Sequence, residues 1–279
     1  MLALAHPTPF LRRLAGLVVA LGVAWLQPAP AQAGDTETAA ACGKPVYLTF
    51  DTGHMGVAPL IADVLRREQV RVTFFAANEP TRTGGASMDD AWAPWWKARA
   101  AEGHEFASHT FDHVYWRGDI AGGAQASFKV RPSAGARAGQ QFTMTAAQYC
   151  GEIRKSEDRL REMTGKEPLP LFRAPGGKTS ERLLAAARSC GYAHVGWAAA
   201  GFLGDELPSD RFPNQRLLEQ ALKNIRSGDI LLAHLGIWSR QDPWAPAVLE
   251  PLIKGLKERG FCFRTLREHP DYAQWTRKR

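Results

Sequence analysis

Short apolar strands alternate with amphipathic helices along most of this chain of 279 residues. Seven segments have the apolar, β-prone composition of strands: 46–50, 70–76, 104–108, 169–173, 192–197, 229–233 and 261–266. Six segments between them have the character of helices: 57–68, 90–102, 146–164, 179–190, 215–226 and 246–259. Repeated strand–helix–strand units predict parallel strands joined by right-handed crossovers.

Seven such units can remain an open, doubly wound sheet or close into a barrel. Several of the predicted strands are apolar throughout, as are strands that are covered on both faces. Closure removes exposed edge strands, and no dinucleotide-binding glycine pattern follows the first strand. We therefore predict an α/β fold, a distorted, irregular (β/α) barrel of about seven parallel strands.

Residues 118–145 interrupt the alternation and are rich in glycine, alanine, serine and glutamine. A loop of this length is unusual unless it is functional or mobile. Because the segment closely follows His113, we expect an irregular insertion that can form one wall of a groove.

The first 33 residues have the pattern of a secretory signal peptide. Arg12 and Arg13 precede an apolar run at 14–26, which is too short to span a bilayer comfortably. Ala31 and Ala33 are small residues at the positions that signal peptidase reads. We expect cleavage after Ala33, a flexible lead at 34–45 and one domain at 46–279. An uncleaved membrane anchor is the alternative.

These features predict a secreted protein of the periplasm or cell envelope, with no stable membrane span after cleavage. Residues 1–33 hold two arginines and no acidic residue, so cleavage lowers the formal net charge from +7 to +5. A mildly basic surface suits an anionic envelope polymer. No nucleic-acid-binding motif is present, and we expect a monomer.

Four cysteines, Cys42, Cys150, Cys190 and Cys262, indicate two disulfides in an exported protein. Their wide spacings lack the paired cysteines of structural zinc sites. In a barrel, Cys42, Cys190 and Cys262 lie towards the amino-terminal ends of the strands, whereas Cys150 begins a helix near the opposite rim. A bridge from Cys42 to Cys262 or Cys190 is therefore favoured over any bridge to Cys150, unless the insertion folds back.

Polar side chains stand at the carboxyl ends of several predicted strands: Asp51, His109, Arg173, Trp197 and His234. Singly, each has an ordinary structural interpretation, such as a turn residue or a buried histidine. In a parallel α/β fold, however, all these strand ends lie on one face, where active sites are built. Their convergence predicts a site at this rim.

The stretch SHTFDH sets His109 and His113 four residues apart. On a helical turn two such imidazoles share a face and can hold one cation. The acid Asp51 at the same rim strengthens the prediction of a metal site.

The stretches VYLTFDTG, SHTFDH, FRAPGG and LLAH, in this order, resemble the motifs of the NodB-type polysaccharide deacetylases, carbohydrate esterase family 4. The resemblance extends from Val46 to Leu266. It implies an irregular (β/α) barrel that removes N- or O-acetyl groups from sugars of chitin, peptidoglycan or exopolysaccharides. It also implies a divalent metal ion, usually zinc.

The resemblance also implies catalytic roles for individual residues. Asp51 matches the catalytic base, and Arg173 matches the arginine that orients it. His234 matches the general acid that protonates the leaving group.

Further positions match binding residues of the family. His109 and His113 match its two metal histidines. Leu232 matches the leucine that lines the acetyl pocket, and Trp197 falls in the region of the fourth motif, where we expect substrate contact.

The chain departs from the family pattern at Thr52, where a second acid normally binds the metal. A neutral hydroxyl is a poor ligand beside a carboxylate. Three outcomes are open: water fills the gap with Thr52 behind it, His54 supplies a third imidazole, or the metal is weak or absent. A subgroup similar to the muramic-acid deacetylases also carries a neutral residue here.

The fourth motif is altered as well, because the acid that usually orients the general-acid histidine is missing from its normal register. In the run GWAAAGFLGDEL, Asp205 is the nearest candidate partner for His234, and Glu206 is the next.

Five tryptophans near strand ends can stack on sugar rings, although ordinary packing is at least as good an explanation for the first two: Trp95, Trp96, Trp116, Trp238 and Trp244.

The leading hypothesis is an exported, metal-assisted hydrolase that removes acetyl groups from an amino-sugar polymer. A second hypothesis is a non-catalytic glycan-binding protein on a degenerate deacetylase scaffold, motivated by Thr52 and the altered fourth motif. A third is a metal-dependent hydrolase of another small-acyl bond.

Overall fold

Seven parallel strands form one curled sheet in the computed structural model, which describes residues 42–122 and 125–277. These are β1 (Pro45–Asp51), β2 (Thr73–Ala76), β3 (Glu105–Ser108), β7 (Leu171–Phe172), β8 (Ala193–His194), β9 (Ile230–His234) and β10 (Cys262–Phe263). The number and direction of the strands are as predicted from the alternation. The predicted signal peptide, 1–33, lies outside the described residues, as do residues 34–41 of the predicted lead.

Strand β1 is central to the sheet. It pairs with β9 on one side and with β2 on the other, and the order continues through β3 and β7 to β8. Between β8 and β9, the backbone N–H of Ala198 donates to the carbonyl of Ile230, and Phe202 bridges to Leu232. These contacts draw the curled sheet towards a distorted barrel, as the alternation of elements predicts.

Helices cover the outer face of the sheet. They are α1 (Ala58–Arg67), α2 (Ala93–Ala101), α3 (Ala146–Thr164), α4 (Glu181–Ser189), α5 (Asn214–Asn224), α6 (Glu250–Glu258) and the short α7 (Ala273–Thr276). Thr145 and Gln148 form a capping box at the start of α3, and Gly165 ends that helix in the left-handed conformation. No helix in the described ranges is long and apolar enough to cross a bilayer.

Strand periodicity decides which side chains enter the barrel. On β1, Val46, Leu48 and Phe50 pack outwards in the core beneath the helices, while Tyr47 belongs to the inner cluster. Because side chains alternate along a strand, Asp51 lies on the same inner face as Tyr47. The same alternation directs His234 of β9 inwards.

The insertion differs from the predicted irregular loop. It forms a three-stranded antiparallel sheet of β4 (Val114–Ile120), β5 (Ser127–Pro132) and β6 (Phe142–Thr145). In β5, Phe128 and Val130 are buried while Lys129 and Arg131 are exposed. This period of two is visible in the sequence, but the glycine- and serine-rich composition around it concealed the strands.

Two disulfides tie the described chain. Cys42 bridges Cys262 with a Cα–Cα distance of 6.0 Å, a pairing that the sequence favoured. Cys150 bridges Cys190 at 6.4 Å, so the expectation that Cys150 lies too far from the others is wrong. The reason is that the last turn of α4 lies beside the start of α3, where the Sγ atom of Cys150 is 3.6 Å from the carbonyl oxygen of Ala186.

The Cys42 bridge also shows that the predicted flexible lead ends earlier than expected. Cys42 is covalently tied, and β1 already begins at Pro45. Residues 42–45 therefore belong to the folded domain.

We expect the double variant Cys150→Ser/Cys190→Ser to lower the free energy of unfolding by about 2–4 kcal/mol, because the bridge restricts the unfolded chain. Urea unfolding followed by far-UV circular dichroism measures the change. An unfolding free energy equal to that of the wild type would contradict the contribution of this bridge.

Candidate active site

Asp51 ends β1 inside the barrel and is 2% exposed. One carboxylate oxygen accepts a hydrogen bond from Arg173 Nη1 at 2.7 Å, and the other lies 3.4 Å from His109 Nε2. Burial by itself would raise the pKa of Asp51, but the Arg173 guanidinium, with His234, holds that pKa below its ordinary value. The carboxylate is therefore ionised at neutral pH and able to accept a proton.

Arg173 follows β7 and is completely buried. Besides Asp51, its guanidinium donates to Thr49 Oγ1 at 2.9 Å and to the carbonyls of Val195 and Gly196 at 3.2 and 3.3 Å. These partners come from β1 and from the segment after β8. A buried guanidinium with its donors occupied in this way fixes the position of the Asp51 carboxylate.

His109 and His113 meet in a tight loop after β3, and the predicted helical turn is absent. Thr110 and His113 both have left-handed backbone conformations, with φ of 59° and 50°. The loop is held by Thr110 Oγ1, which accepts from the N–H of Val114 at 2.7 Å, and by Ser133, whose N–H donates to the carbonyl of His113. Left-handed residues other than glycine concentrate at functional sites.

The Nε2 atoms of these two imidazoles face each other at 3.2 Å. His109 Nδ1 lies 2.9 Å from the carbonyl oxygen of Arg173, which can only accept, so Nδ1 carries the proton and Nε2 has a free lone pair. Burial lowers the pKa of His109 to about 4, which keeps this ring neutral.

The paired imidazoles fit a divalent cation. Two nitrogens bound to tetrahedral zinc at about 2.0–2.1 Å would lie about 3.3 Å apart, close to the observed separation. A backbone carbonyl on the other ring nitrogen is the usual support of a metal-binding histidine. Within 42–122 and 125–277, however, no three His, Cys, Asp or Glu side chains form a complete ligand cluster.

Thr52 and His54 occupy different surroundings. Thr52 is buried, and its hydroxyl donates to Glu79 Oε2 at 2.7 Å. The His54 ring accepts the N–H of Gly56 at Nδ1 and packs edge-on against Trp238. His54 therefore lies apart from the His109–His113 pair, with one ring nitrogen already occupied.

His234 ends β9, directly opposite Asp51 in the register of β1 and β9. Both carboxylate oxygens of Asp205 lie 3.1 Å from its Nδ1, and one of them also accepts the backbone N–H of His234 at 2.6 Å. Burial alone would lower the pKa of His234, but Asp205 raises it to about 9. The imidazole is therefore protonated at neutral pH.

A cavity at the carboxyl ends of the strands joins these groups. Its lining includes Asp51, Thr52, Glu79, His109, His113, Tyr115, Trp197, Leu232, His234 and Trp238. Trp197 and Leu232, predicted to contact substrate, thus lie at the cavity. Trp238 is 61% exposed and suited to a sugar ring, whereas Trp95 and Trp96 pack with Phe74 in the core.

Sequence reasoning missed Glu79, Tyr115 and Ser133. Ser133 Oγ hydrogen-bonds His113 Nδ1 at 2.5 Å, and Tyr115 packs edge-on against the same imidazole. Glu79 follows β2, a strand whose end carried no polar residue in the prediction. A search of the residues after that strand would have found Glu79, but nothing in the sequence indicates its proximity to Thr52.

Several known proteins are similar to this chain in sequence. The family model described as polysaccharide deacetylase matches residues 38–195. A chitooligosaccharide deacetylase of Azorhizobium caulinodans is 26% identical over 238 residues, 79% of this chain and 92% of that protein. The peptidoglycan-N-acetylmuramic acid deacetylase PdaA of Bacillus subtilis is 27% identical over 224 residues, 80% of this chain and 70% of that protein.

Solved structures show the same fold. A family 4 acetyl xylan esterase from Clostridium thermocellum, in complex with a cobalt ion, superposes with a TM-score of 0.60 at 22% identity. The superposition covers 83% of this chain and 91% of that chain.

We expect Asp205→Asn to lower the pKa of His234 from about 9, because the carboxylate that favours the imidazolium is removed. Titration of the imidazole ¹⁵N resonances by NMR measures this pKa. Asp210→Asn, a change at an exposed residue, is the control and is expected to leave the pKa of His234 unchanged. A His234 pKa that is the same in Asp205→Asn and wild type would contradict the assigned cause.

Proposed function

We propose that this chain, which belongs to the polysaccharide deacetylase family, is an exported hydrolase that removes acetyl groups from amino sugars of a peptidoglycan- or chitin-like polysaccharide. The observation that carries the proposal is the pairing of Asp51 and His234 on neighbouring strands with opposite protonation states. The pKa of Asp51 is lowered and that of His234 is raised to about 9. Groups whose pKa values are driven apart in this way suit a base and an acid in one reaction.

In the proposed reaction, Asp51 removes a proton from the attacking water while Arg173 holds the carboxylate in place. His234, oriented and kept protonated by Asp205, gives a proton to the departing sugar nitrogen. Amide hydrolysis needs this second transfer because an unprotonated amine anion is a poor leaving group. His109 and His113 would hold the divalent cation, zinc being the first candidate. When bound, such a cation polarises the acetyl carbonyl and acidifies water.

The cavity walls suit an acetylated sugar. Leu232 is buried beside His234 and offers an apolar surface for the acetyl methyl group. Trp197 also lines the cavity, with the Arg173 guanidinium 5.6 Å from the centroid of its indole ring, and an indole is suited to contact with a sugar ring. The names of the relatives that act on peptidoglycan and chitooligosaccharide support an N-acetylated substrate.

Export is proposed from two features. The first 33 residues have the pattern of a signal peptide, and all four cysteines are joined in disulfides. Disulfides persist in oxidising compartments such as the periplasm and cell surface.

The second hypothesis, a non-catalytic glycan-binding protein on a degenerate scaffold, is supported by Thr52 at the position of the usual metal-binding acid. Its other motivation, a missing partner for His234, is weakened by the contact with Asp205. The two hypotheses differ in whether acetate is released.

Acetate release from peptidoglycan and chitin oligomers, with metal-stripped and metal-reloaded protein, tests the proposal. We expect Asp51→Asn and His234→Ala each to reduce kcat/KM by about 10²–10⁴-fold, because each removes one proton-transfer group. Asp63→Asn on the exposed face of α1 is the matched control and retains the wild-type rate. Glycan binding without acetate release on any of these polymers would favour the binding protein.

The pH dependence of kcat/KM provides a separate test. Activity requires ionised Asp51 and protonated His234, so it is expected to remain high above the lowered pKa of Asp51 and to fall as the pH rises through about 9. In Asp205→Asn the pKa of His234 drops, so the alkaline limb moves to lower pH. An alkaline limb that stays in place in this variant would exclude His234 as the general acid.

A further inference from the structure

The Glu79 carboxylate lies beside Thr52, the residue that replaces the usual metal-binding acid. We propose that Glu79 supplies the negative charge for a cation held by His109 and His113, and that Thr52 positions Glu79 for this role. The inference deepens the proposed function and rests on it. It assigns a carboxylate from the loop after β2 to the site, in place of the acid that directly follows the base in the family pattern.

The hydrogen bonds of Thr52 determine where Glu79 stands. Thr52 Oγ1 accepts the backbone N–H of Ala77 at 3.0 Å, so its single proton is free to go to Glu79 Oε2 at 2.7 Å. The other oxygen, Oε1, lies 3.7 Å from His113 Nδ1. The carboxylate is thus held between the residue after the base and one of the paired histidines.

The backbone on either side of Glu79 is also fixed. Its N–H donates to Ser87 Oγ at 3.0 Å, and the N–H of Ser87 donates to its carbonyl at 2.8 Å. Ser87 Oγ in turn donates to the carbonyl of Ala77 at 2.5 Å. These bonds fix the backbone from which the Glu79 carboxylate extends and so preorganise the site.

Charge balance distinguishes Glu79 from the other nearby acid. Asp51 is paired with the Arg173 guanidinium, which neutralises it. Among the described residues, no lysine or arginine lies within 4.0 Å of the Glu79 carboxylate, whose Oε1 is 3.7 Å from His113 Nδ1. Imidazoles bind a cation in their neutral form, so Glu79 would add the negative charge that the two histidines do not supply.

His54, the other candidate for a third donor, is held elsewhere. Its Nδ1 accepts from Gly56 at 2.9 Å, and its ring packs between Trp238 and Gly236, where even a Cβ atom would collide with the imidazole. Bringing this ring to the His109–His113 pair would break these contacts. Glu79 needs no such rearrangement.

The test measures zinc affinity directly, by competition with a chromophoric chelator, together with zinc content after dialysis. Glu79→Gln keeps the size of the side chain and an oxygen acceptor for Thr52 but removes the charge. We expect its zinc dissociation constant to rise by about 10–100-fold. Thr52→Val removes the hydroxyl that positions Glu79 and is expected to weaken zinc binding in the same direction.

Two further variants make the test specific. Thr52→Asp/Glu79→Gln moves the carboxylate back to the family position and is expected to restore wild-type zinc affinity. Glu206→Gln, which removes one negative charge from the exposed wall of the same cavity, is the matched control and keeps that affinity. Cobalt(II) visible absorption, measured on the same set, reports whether the ligand environment changes in Glu79→Gln.

Wild-type zinc affinity in folded Glu79→Gln and Thr52→Val would overturn the inference, as would equal losses in Glu79→Gln and Glu206→Gln. Acetate release measured on the same samples separates this outcome from failure of the proposed function. If wild type releases acetate while Glu79→Gln binds zinc normally, only the inference fails. If Glu79→Gln loses zinc and the zinc-loaded wild type releases no acetate, only the proposed function fails.

Discussion

The buried pair of Arg173 and Asp51 is the interaction on which the site depends. One guanidinium bonds Asp51, Thr49 and the carbonyls of the segment after β8, and so joins the central strand β1 to the edge of the curled sheet at β8. The carbonyl of the same residue orients His109. Removing one partner of a buried pair costs about 3–5 kcal/mol because it leaves an unpaired charge. Asp51 and one histidine of the pair are therefore positioned by the same residue.

Next to this pair, two neighbouring strands carry side chains of opposite charge. Asp51 on β1 is kept ionised by a buried arginine, and His234 on β9 is kept protonated by Asp205. Asp51 is buried and His234 is partly buried in direct register with it, and burial alone would favour the neutral form of each. Their charged states depend on different partners from different loops, so an ionised carboxylate and a protonated imidazole coexist at one pH.

The loop after β3 and the loop after β2 converge on the other side of the base. Two left-handed residues, Thr110 and His113, turn the first loop so that the imidazole of His113 meets that of His109. The antiparallel insertion supports this loop from outside through Ser133. The second loop carries Glu79 to Thr52. Thr52, the residue that departs from the family motif, thus contacts Glu79, and a comparison of motifs does not reveal this contact.

The sequence by itself determined the parallel α/β architecture and which strand ends carry polar residues. Both follow from local periodicity: alternation of elements predicts parallel strands, and alternation along β1 and β9 directs Asp51 and His234 inwards. Only the tertiary structure decided which side chains contact one another. The contacts of Glu79 with Thr52, Asp205 with His234 and Cys150 with Cys190 join residues 27 to 40 positions apart, through loops and helix ends. Such contacts depend on packing geometry, which no short-range pattern encodes.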